Sequence, residues 1–241
     1  MSLHYKGKIV QWKWFDEECI SSTNDAVKNC QQQDFPVVIS AKQQTAGRGR
    51  RGRQWIAGEG NLYFTFSLTI PTAQISTYVC LIGLSLAKTV QQLDPTAKIK
   101  IKWPNDIFLN DKKLTGILLE NIAADQWAVG IGVNIMVAPK LHESAYQATS
   151  LKSNNIITTR ENFLHQYLEV LSQDLRDYQR NGFSNLKEQW LALAMGIGEE
   201  ITIKNERVKQ KGVFLTLDDR GYLILKTEHG QEKIIAGDLF L

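Results

Sequence analysis

The chain has 241 residues, 43% of them hydrophobic and 22% charged, with a formal net charge of +3; this is room for one substantial core and a small appendage, and any nucleic-acid reading must rest on local clustering of charge. Three cysteines (Cys19, Cys30, Cys80) without paired spacing and four scattered histidines argue against a disulfide framework or a zinc site. No run approaches 18 apolar residues and the N-terminus lacks a long apolar segment, so neither export nor a membrane span is indicated and a reducing cytoplasm is the expected compartment.

Ile9 to Trp14 reads as a short strand. Ser22-Thr23-Asn24-Asp25 then opens a helix reaching about Gln33; Ser22-x-x-Asp25 has capping-box form, although hydroxyls at a helix N-terminus also suit a ligand. Pro36 closes the linker, and the β-branched run Val37 to Ser40 forms a strand that delivers Gln43 and Gln44 to the edge of a loop.

That loop, Gly47-Arg48-Gly49-Arg50-Arg51-Gly52-Arg53, holds four arginines and three glycines in seven residues. Such a stretch cannot be core, because its charges would be unpaired and its glycines weaken helix and strand alike. Glycine lets main chain approach a ligand closely and guanidinium offers planar donors, so the loop reads as a mobile lid that grips an anion. It spells G-x-G-x-x-G, yet Trp55, Gly58 and Gly60 follow where the dinucleotide fingerprint needs a helix. Gly47 to Gly52 also has Walker A spacing, but Arg53-Gln54 stands where Lys-Ser/Thr is required.

Leu62, Phe64, Phe66, Leu68 and Ile70 alternate with polar residues, which predicts a half-buried strand in an antiparallel or mixed sheet with Tyr63 opposite its buried face. Ile75, Val79, Ile82, Leu86, Val90 and Leu93 fall at helical spacing, with Cys80 an inert passenger. The Lys98 to Lys102 strand stops at the corner Trp103-Pro104-Asn105-Asp106. Ile107 to Leu109, a turn at Asn110-Asp111 and Leu114 to Ile122 make a hairpin with Lys113 at its return; Gln126 to Val133 adds a strand whose Gly130 and Gly132 imply something lying close to the backbone. Residues 135–158 read as a loop. Helices follow from Arg160 to Arg180 and Leu186 to Ala194, then short strands at Glu200 to Lys204, Lys211 to Leu217, Tyr222 to Lys226 and Glu232 to Phe240, the pattern of a small β-barrel. The expected domains are 1–195 and 196–241.

The arginine loop, the Lys102/Asn105/Asp106 corner and Lys113 with its nearby glycines fall on one sheet edge. Cations this dense in loops suit movement of a polyphosphate, where catalysis is positioning and charge stabilisation. No Ser/His/Asp or Cys/His arrangement points to a covalent enzyme intermediate. The chemistry to expect is nucleotidyl transfer onto a small acid.

Ser22-Thr23-Asn24, Gln44 through Trp55, Lys102-Trp103-Pro104-Asn105-Asp106, Lys113-Leu114-Thr115-Gly116-Ile117-Leu118 and Gly130-Ile131-Gly132-Val133-Asn134 resemble, in order and spacing, the motifs of biotin protein ligases, also called biotin-[carboxylase] ligases. The resemblance spans roughly residues 9–135; at the C-terminus it rests on length and strand pattern. It implies an α+β fold, a mixed and largely antiparallel sheet flanked by helices as in class II synthetases, with a small SH3-like β-barrel after it. It further implies an ATP-dependent, AMP-forming activity: biotin and Mg-ATP give biotinyl-5′-AMP and pyrophosphate, and a lysine of the biotin carboxyl carrier domain of acetyl-CoA carboxylase takes the biotinyl group.

Carried over by position, Ser22, Thr23, Asn24, Gln44 and Gly47 contact biotin, with the backbone of Gly116, Gly130 and Gly132 beside it. Arg48, Arg50 and Lys113 are the catalytic set, Arg48 and Lys113 also touching biotin and Lys113 bridging carboxylate and α-phosphate. Arg50, Arg51, Arg53, Trp55, Lys102, Asn105, Asp106 and Asn134 serve ATP and the adenylate, and Asp106 is a candidate magnesium ligand. With about eight residues before the first strand, the expectation is a monofunctional enzyme without specific DNA binding or membrane attachment, a homodimer being left open. A lipoate or octanoate ligase or transferase shares the wider superfamily without this lid; a non-catalytic biotin sensor or an RNA-binding module is the alternative of another class.

Overall fold

The computed structural model describes residues 2–5, 8–30, 37–139, 146–205 and 209–241, and the side chains from Trp12 onward within them. A two-stranded ribbon of β1 (Ser2–Tyr5) and β2 (Lys8–Gln11) precedes β3 (Lys13–Ile20) and α1 (Thr23–Lys28). Then come β4 (Val37–Gln44), β5 (Leu62–Thr69), α2 (Ile75–Leu93), β6 (Ile99–Lys102), β7 (Asp106–Leu109), β8 (Lys112–Ala123) and β9 (Gln126–Val133). Helices α3 (Arg160–Asn181) and α4 (Phe183–Ala192) lead to β10 (Glu200–Lys204), β11 (Lys209–Leu217), β12 (Leu223–Thr227), β13 (Gly230–Ile234) and β14 (Asp238–Phe240).

The main sheet has seven strands in the order β3-β4-β5-β9-β8-β7-β6. All its pairs are antiparallel except β3 with β4. One face carries Leu62, Phe64, Phe66, Ile117, Ile131 and Val133 into a core closed by α2, α3 and α4, where Phe64 and Phe66 pack on Tyr167. By length and hydropathy the Thr72–Leu93 segment could cross a membrane, but 67% of its apolar window is buried inside the protein, so α2 is a core helix.

Three elements differ from expectation. The first strand does not end at Trp14: β3 runs to Ile20 as an edge strand, largely exposed, and exposed Asp16, Glu17 and Glu18 carry no core periodicity to announce it. Nor is β5 half-buried. Its polar face is covered too, by α1 and the segment around Gly58, so that Tyr63 is 1% and Thr65 0% exposed. The segment Glu232 to Phe240 is two strands, and at Gly237 between them the chain passes closer to the Ile203 side chain than a Cβ would permit. Among the described residues the C-terminal unit is therefore a five-stranded antiparallel sheet, β13-β12-β11-β10-β14, with its end strands not paired to each other; the barrel closure expected of it is not formed. Of the helix expected to reach Gln33, Thr23–Lys28 is observed, and residues 31–36, including Pro36, lie outside the described ones.

The C-terminal sheet sits on the first unit rather than beside it. Phe214, Leu225 and Leu239 share one continuous apolar cluster with the main sheet, Trp190 of α4 meets Phe214 edge-on, and the Trp103 indole N–H points at the Gly221 carbonyl.

Candidate functional site

Register across the main sheet builds the floor of the site. Tyr63, Gly132, Gly116, Asp106 and Lys102 stand opposite one another on five consecutive strands, and Thr65, Gly130 and Leu118 form the next row of the same face. Residues paired in this way project to one side. The row therefore brings a lysine, a carboxylate and two glycines into line, with α1 over one end. The left-handed pair Asn110 and Asp111 closes the β7–β8 hairpin, and a bulge after Ile107 sets Lys113 on its returning strand.

Above this floor lies a cleft of about 520 Å³, a size that suits a nucleotide-sized ligand. Its walls are α1 (Ser22, Thr23, Asn24), the arginine loop, the Lys102–Asp106 corner, Lys113, the glycine strands, and Asp238 and Phe240 of β14. Among the described residues, five cations (Arg48, Arg50, Arg53, Lys102, Lys113) line it against two carboxylates (Asp106, Asp238), so the cleft favours an anion.

Every residue expected at the site lines the cleft except Gly47 and Arg51. Gly47 is buried beneath the loop, its carbonyl accepting from the Trp55 N–H. Arg51 points away toward Asp238 and the Lys204 carbonyl.

The polar end of the cleft is a fixed network. Ser22 has the backbone of a helix N-cap, but its side chain makes no capping bond, so the capping box is not formed. Asp25 instead takes Arg48 bidentately at 2.6 and 2.8 Å. Gln44 Oε1 accepts from both the Thr23 N–H (2.8 Å) and its hydroxyl (3.1 Å). Thr65 Oγ1 lies 2.7 Å from Thr23 Oγ1 and 2.6 Å from Asn24 Oδ1, while Asn24 Nδ2 donates to Glu120. The Arg48 guanidinium holds the Asp25 carboxyl below the usual carboxylate range, and Asp25 and Glu120 raise Arg48 in return. Burial works to raise Glu120, and hydrogen bonds from Asn24, Lys28 and Arg48 outweigh it.

The cationic end is less neutralised. Lys113 Nζ pairs with Asp106 at 2.8 Å and lies over the Trp55 ring. Lys102 is 7% exposed, its ammonium 4.1 Å from the Tyr146 ring centre and flanked by Phe108 and Phe240. Burial lowers its pKa from 10.5 to about 8, with Asp106 opposing. Arg50 is pushed down by burial as well; its Nη1 donates to Asn105 Oδ1 at 2.8 Å, and Asn105 Nδ2 donates to the Ile117 carbonyl. Asn105 thus orients Arg50. Asn134 lines the cleft with both ends of its amide engaged, by Asn61 and by the Thr149 carbonyl.

The glycines have occupants of their own. A Cβ on Gly132 would lie 2.4 Å from the Trp55 ring, one on Gly116 2.9 Å from it, and one on Gly130 2.1 Å from Asn24 Oδ1. In this structure it is therefore an indole and an amide that come close to the backbone, and the Trp55 indole Nε1–H is buried there without a hydrogen-bond partner. Sequence reasoning missed Thr65, Tyr146, Asp238 and Phe240, and the role of Asp25 and Glu120 as partners of Arg48. None lies in a dense motif, and only Asp25 stood in a stretch already singled out.

Residues 17–134 match the Biotin/lipoate A/B protein ligase family, and residues 196–241 match the Biotin protein ligase C terminal domain. The chain is 34% identical over 215 residues to a biotin–[acetyl-CoA-carboxylase] ligase of Paracoccus denitrificans, covering 84% of this chain and 89% of that one. It is 31% identical over 237 residues to the bifunctional ligase/repressor BirA of Bacillus subtilis, covering 93% and 72%. The fold superposes on biotin protein ligase from Aquifex aeolicus in complex with biotin and ATP with a TM-score of 0.84, at 27% identity and covering 95% and 97% of the two chains.

Proposed function

Because the chain belongs to the biotin protein ligases of the biotin/lipoate A/B protein ligase family, we infer that its cleft joins biotin to AMP and then hands the biotinyl group to a lysine. In the first step a biotin carboxylate oxygen forms a bond to the α-phosphorus of ATP while the bond to the bridging oxygen breaks, releasing pyrophosphate. In the second, a lysine amine attacks the acyl carbon, AMP leaves, and the amine's proton is lost to solvent. The observation that carries this reading is the gathering of motifs spread from Ser22 to Asn134 around one cationic cleft.

Each side chain has work suited to its setting. Thr23 and Gln44 are locked to each other, so the Gln44 amide donors and the Ser22 hydroxyl meet the polar ring system of biotin. Lys113 exchanges its Asp106 contact for the oxygens of the carboxylate and α-phosphate, where charge builds in the transition state. Arg48, already held by two carboxylates, positions more than it neutralises; Arg50, Arg53 and Lys102 supply the net positive charge that a triphosphate needs. Trp55 moves off the glycine floor to admit the ligand and packs against it. The loop shields the mixed anhydride from water until the acceptor arrives.

Among the described residues no group of three or more His, Cys, Asp or Glu side chains comes together to hold a metal. Asp106 and Asp238 are too few for a dedicated cage, so magnesium would be held chiefly by the nucleotide's own phosphates, with Asp106 the candidate protein ligand, and would offset their charge. The acceptor is the carboxyl carrier domain of acetyl-CoA carboxylase, and the free cysteines Cys19, Cys30 and Cys80 suit work in the cytoplasm. The test is to incubate the protein with Mg-ATP, biotin and a carboxylase carrier domain. One biotinyl mass increment on the carrier, absent when its acceptor lysine is arginine, is expected; an unmodified carrier refutes the reading.

A further inference from the structure

The arginine loop does not hang free over the cleft, because three of its four guanidiniums converge on one carboxylate in the C-terminal sheet. Arg50 Nη1, Arg51 Nη1 and Arg53 Nη2 lie 3.6, 3.5 and 3.1 Å from Asp238 oxygens. Two backbone carbonyls join in: Gly237 O accepts from Arg50 at 3.3 Å and Lys204 O from Arg51 at 3.4 Å. The interruption between β13 and β14 at Gly237 is what presents this acceptor set, since it lets β14 pair with β10 and places Asp238 in the cleft wall.

Taken singly, contacts of this kind at a surface contribute little. Three features separate this cluster from scattered ion pairs. The Asp238 side chain is 17% exposed and shared by all three arginines. Arg51 does not line the cleft, so its grip on Asp238 and Lys204 has no use in touching substrate. Arg51 also has φ 56°, a left-handed backbone that a residue with a Cβ adopts at a cost.

We propose that Asp238 is a positioning residue that latches the arginine loop to the C-terminal sheet, holding it in the closed place over the cleft. One negative charge against three positive ones leaves the loop cationic, so a phosphate chain binds beside the latch without displacing it. The C-terminal sheet thereby contributes to keeping the activated acid inside. This last consequence rests on the ligase reading; the latch itself does not.

The experiment is amide hydrogen exchange of residues 47–55 in the substrate-free full chain, for wild type, Asp238→Asn and Asp238→Glu, at low and high sodium chloride. Loop exchange in Asp238→Asn is expected to be about tenfold faster, the factor that roughly 1.4 kcal/mol represents. Asp238→Glu, which keeps the charge, should stay within about threefold of wild type. Salt should speed the wild-type loop more than the Asp238→Asn loop, in which only the Arg48 pairs with Asp25 and Glu120 remain to be screened. If exchange across 200–204 shows that Asp238→Asn has lost β10, the Arg51→Gln/Arg53→Gln double variant asks the same question from the loop side, with the same acceleration expected. Wild-type exchange in Asp238→Asn, or in the double variant, overturns the latch. Biotin-dependent pyrophosphate release by wild type is followed in parallel: its absence sinks the ligase reading, while the exchange result still decides the latch.

Discussion

Replacing Lys102 by methionine removes a buried charge while keeping most of the side chain's volume among Tyr146, Phe240 and Phe108. Burial lowers the Lys102 pKa from 10.5 to about 8, so its charged form opposes folding at neutral pH by about 3 kcal/mol, at about 1.4 kcal/mol for each tenfold in acid dissociation. The ring contact with Tyr146 returns on the order of 1 kcal/mol. Lys102→Met should therefore be about 2 kcal/mol more stable than wild type at pH 7, a rise in midpoint of about 4–8 °C for a chain of this size. The sign follows from the protons. Below pH 8 both states carry the proton and the whole penalty applies. Between about 8 and 10.5 the unfolded chain still holds a proton that the folded one has released, so wild-type stability climbs with pH. Above that window the advantage of the variant is gone. Urea unfolding of both proteins at pH 7 and 10.5 reads the difference directly. A variant no more stable than wild type at pH 7, or an advantage that ignores pH, refutes the argument. The gain in stability should come with a loss of about a hundredfold in biotin-dependent pyrophosphate release, because the amine is there to meet phosphate.

Lys113→Ala should abolish biotin-dependent pyrophosphate release, while its unfolding free energy changes by no more than about 1 kcal/mol, since its pair with Asp106 is partly exposed; wild-type turnover would remove Lys113 from the chemistry. Gly130→Ala should destabilise by about 1–3 kcal/mol, because the new methyl meets an Asn24 amide tied to Thr65 and Glu120. Asn24→Ala in the same chain should relieve part of that loss, and additive effects in the double variant would place the clash elsewhere. Arg50→Gly breaks the contacts to Asn105 and Gly237, so activated biotin should escape and label bystander lysines diffusely, whereas full retention of the intermediate would deny the loop its shielding role.

Much of the architecture was legible because it rests on local periodicity. Ile75 to Leu93 is helical where the 3.6-residue pattern places it, and Gln126 to Val133 and Glu200 to Lys204 are strands with the bounds expected of them. What escaped depends on tertiary closure. An edge strand such as β3 has no buried face to impose alternation, and the polar face of β5 gives no sign that α1 will cover it. The cleft residues were readable where glycine, arginine and lysine cluster in sequence. Asp238 and Phe240 were not, because nothing near them in the chain announces a site; the pairing of β14 with β10 brings them there. Ser22 and Asp25 show the reverse error: their capping pattern forms no capping bond, and Asp25 takes Arg48 instead.

The most direct trial of the adenylation chemistry is exchange of labelled pyrophosphate into ATP by the purified chain, with and without biotin and with no acceptor present. Exchange that appears only when biotin is added is the expected result, since it reports the reversible joining of the biotin carboxylate to AMP inside the cleft. Exchange that ignores biotin, or none in its presence, would contradict the account.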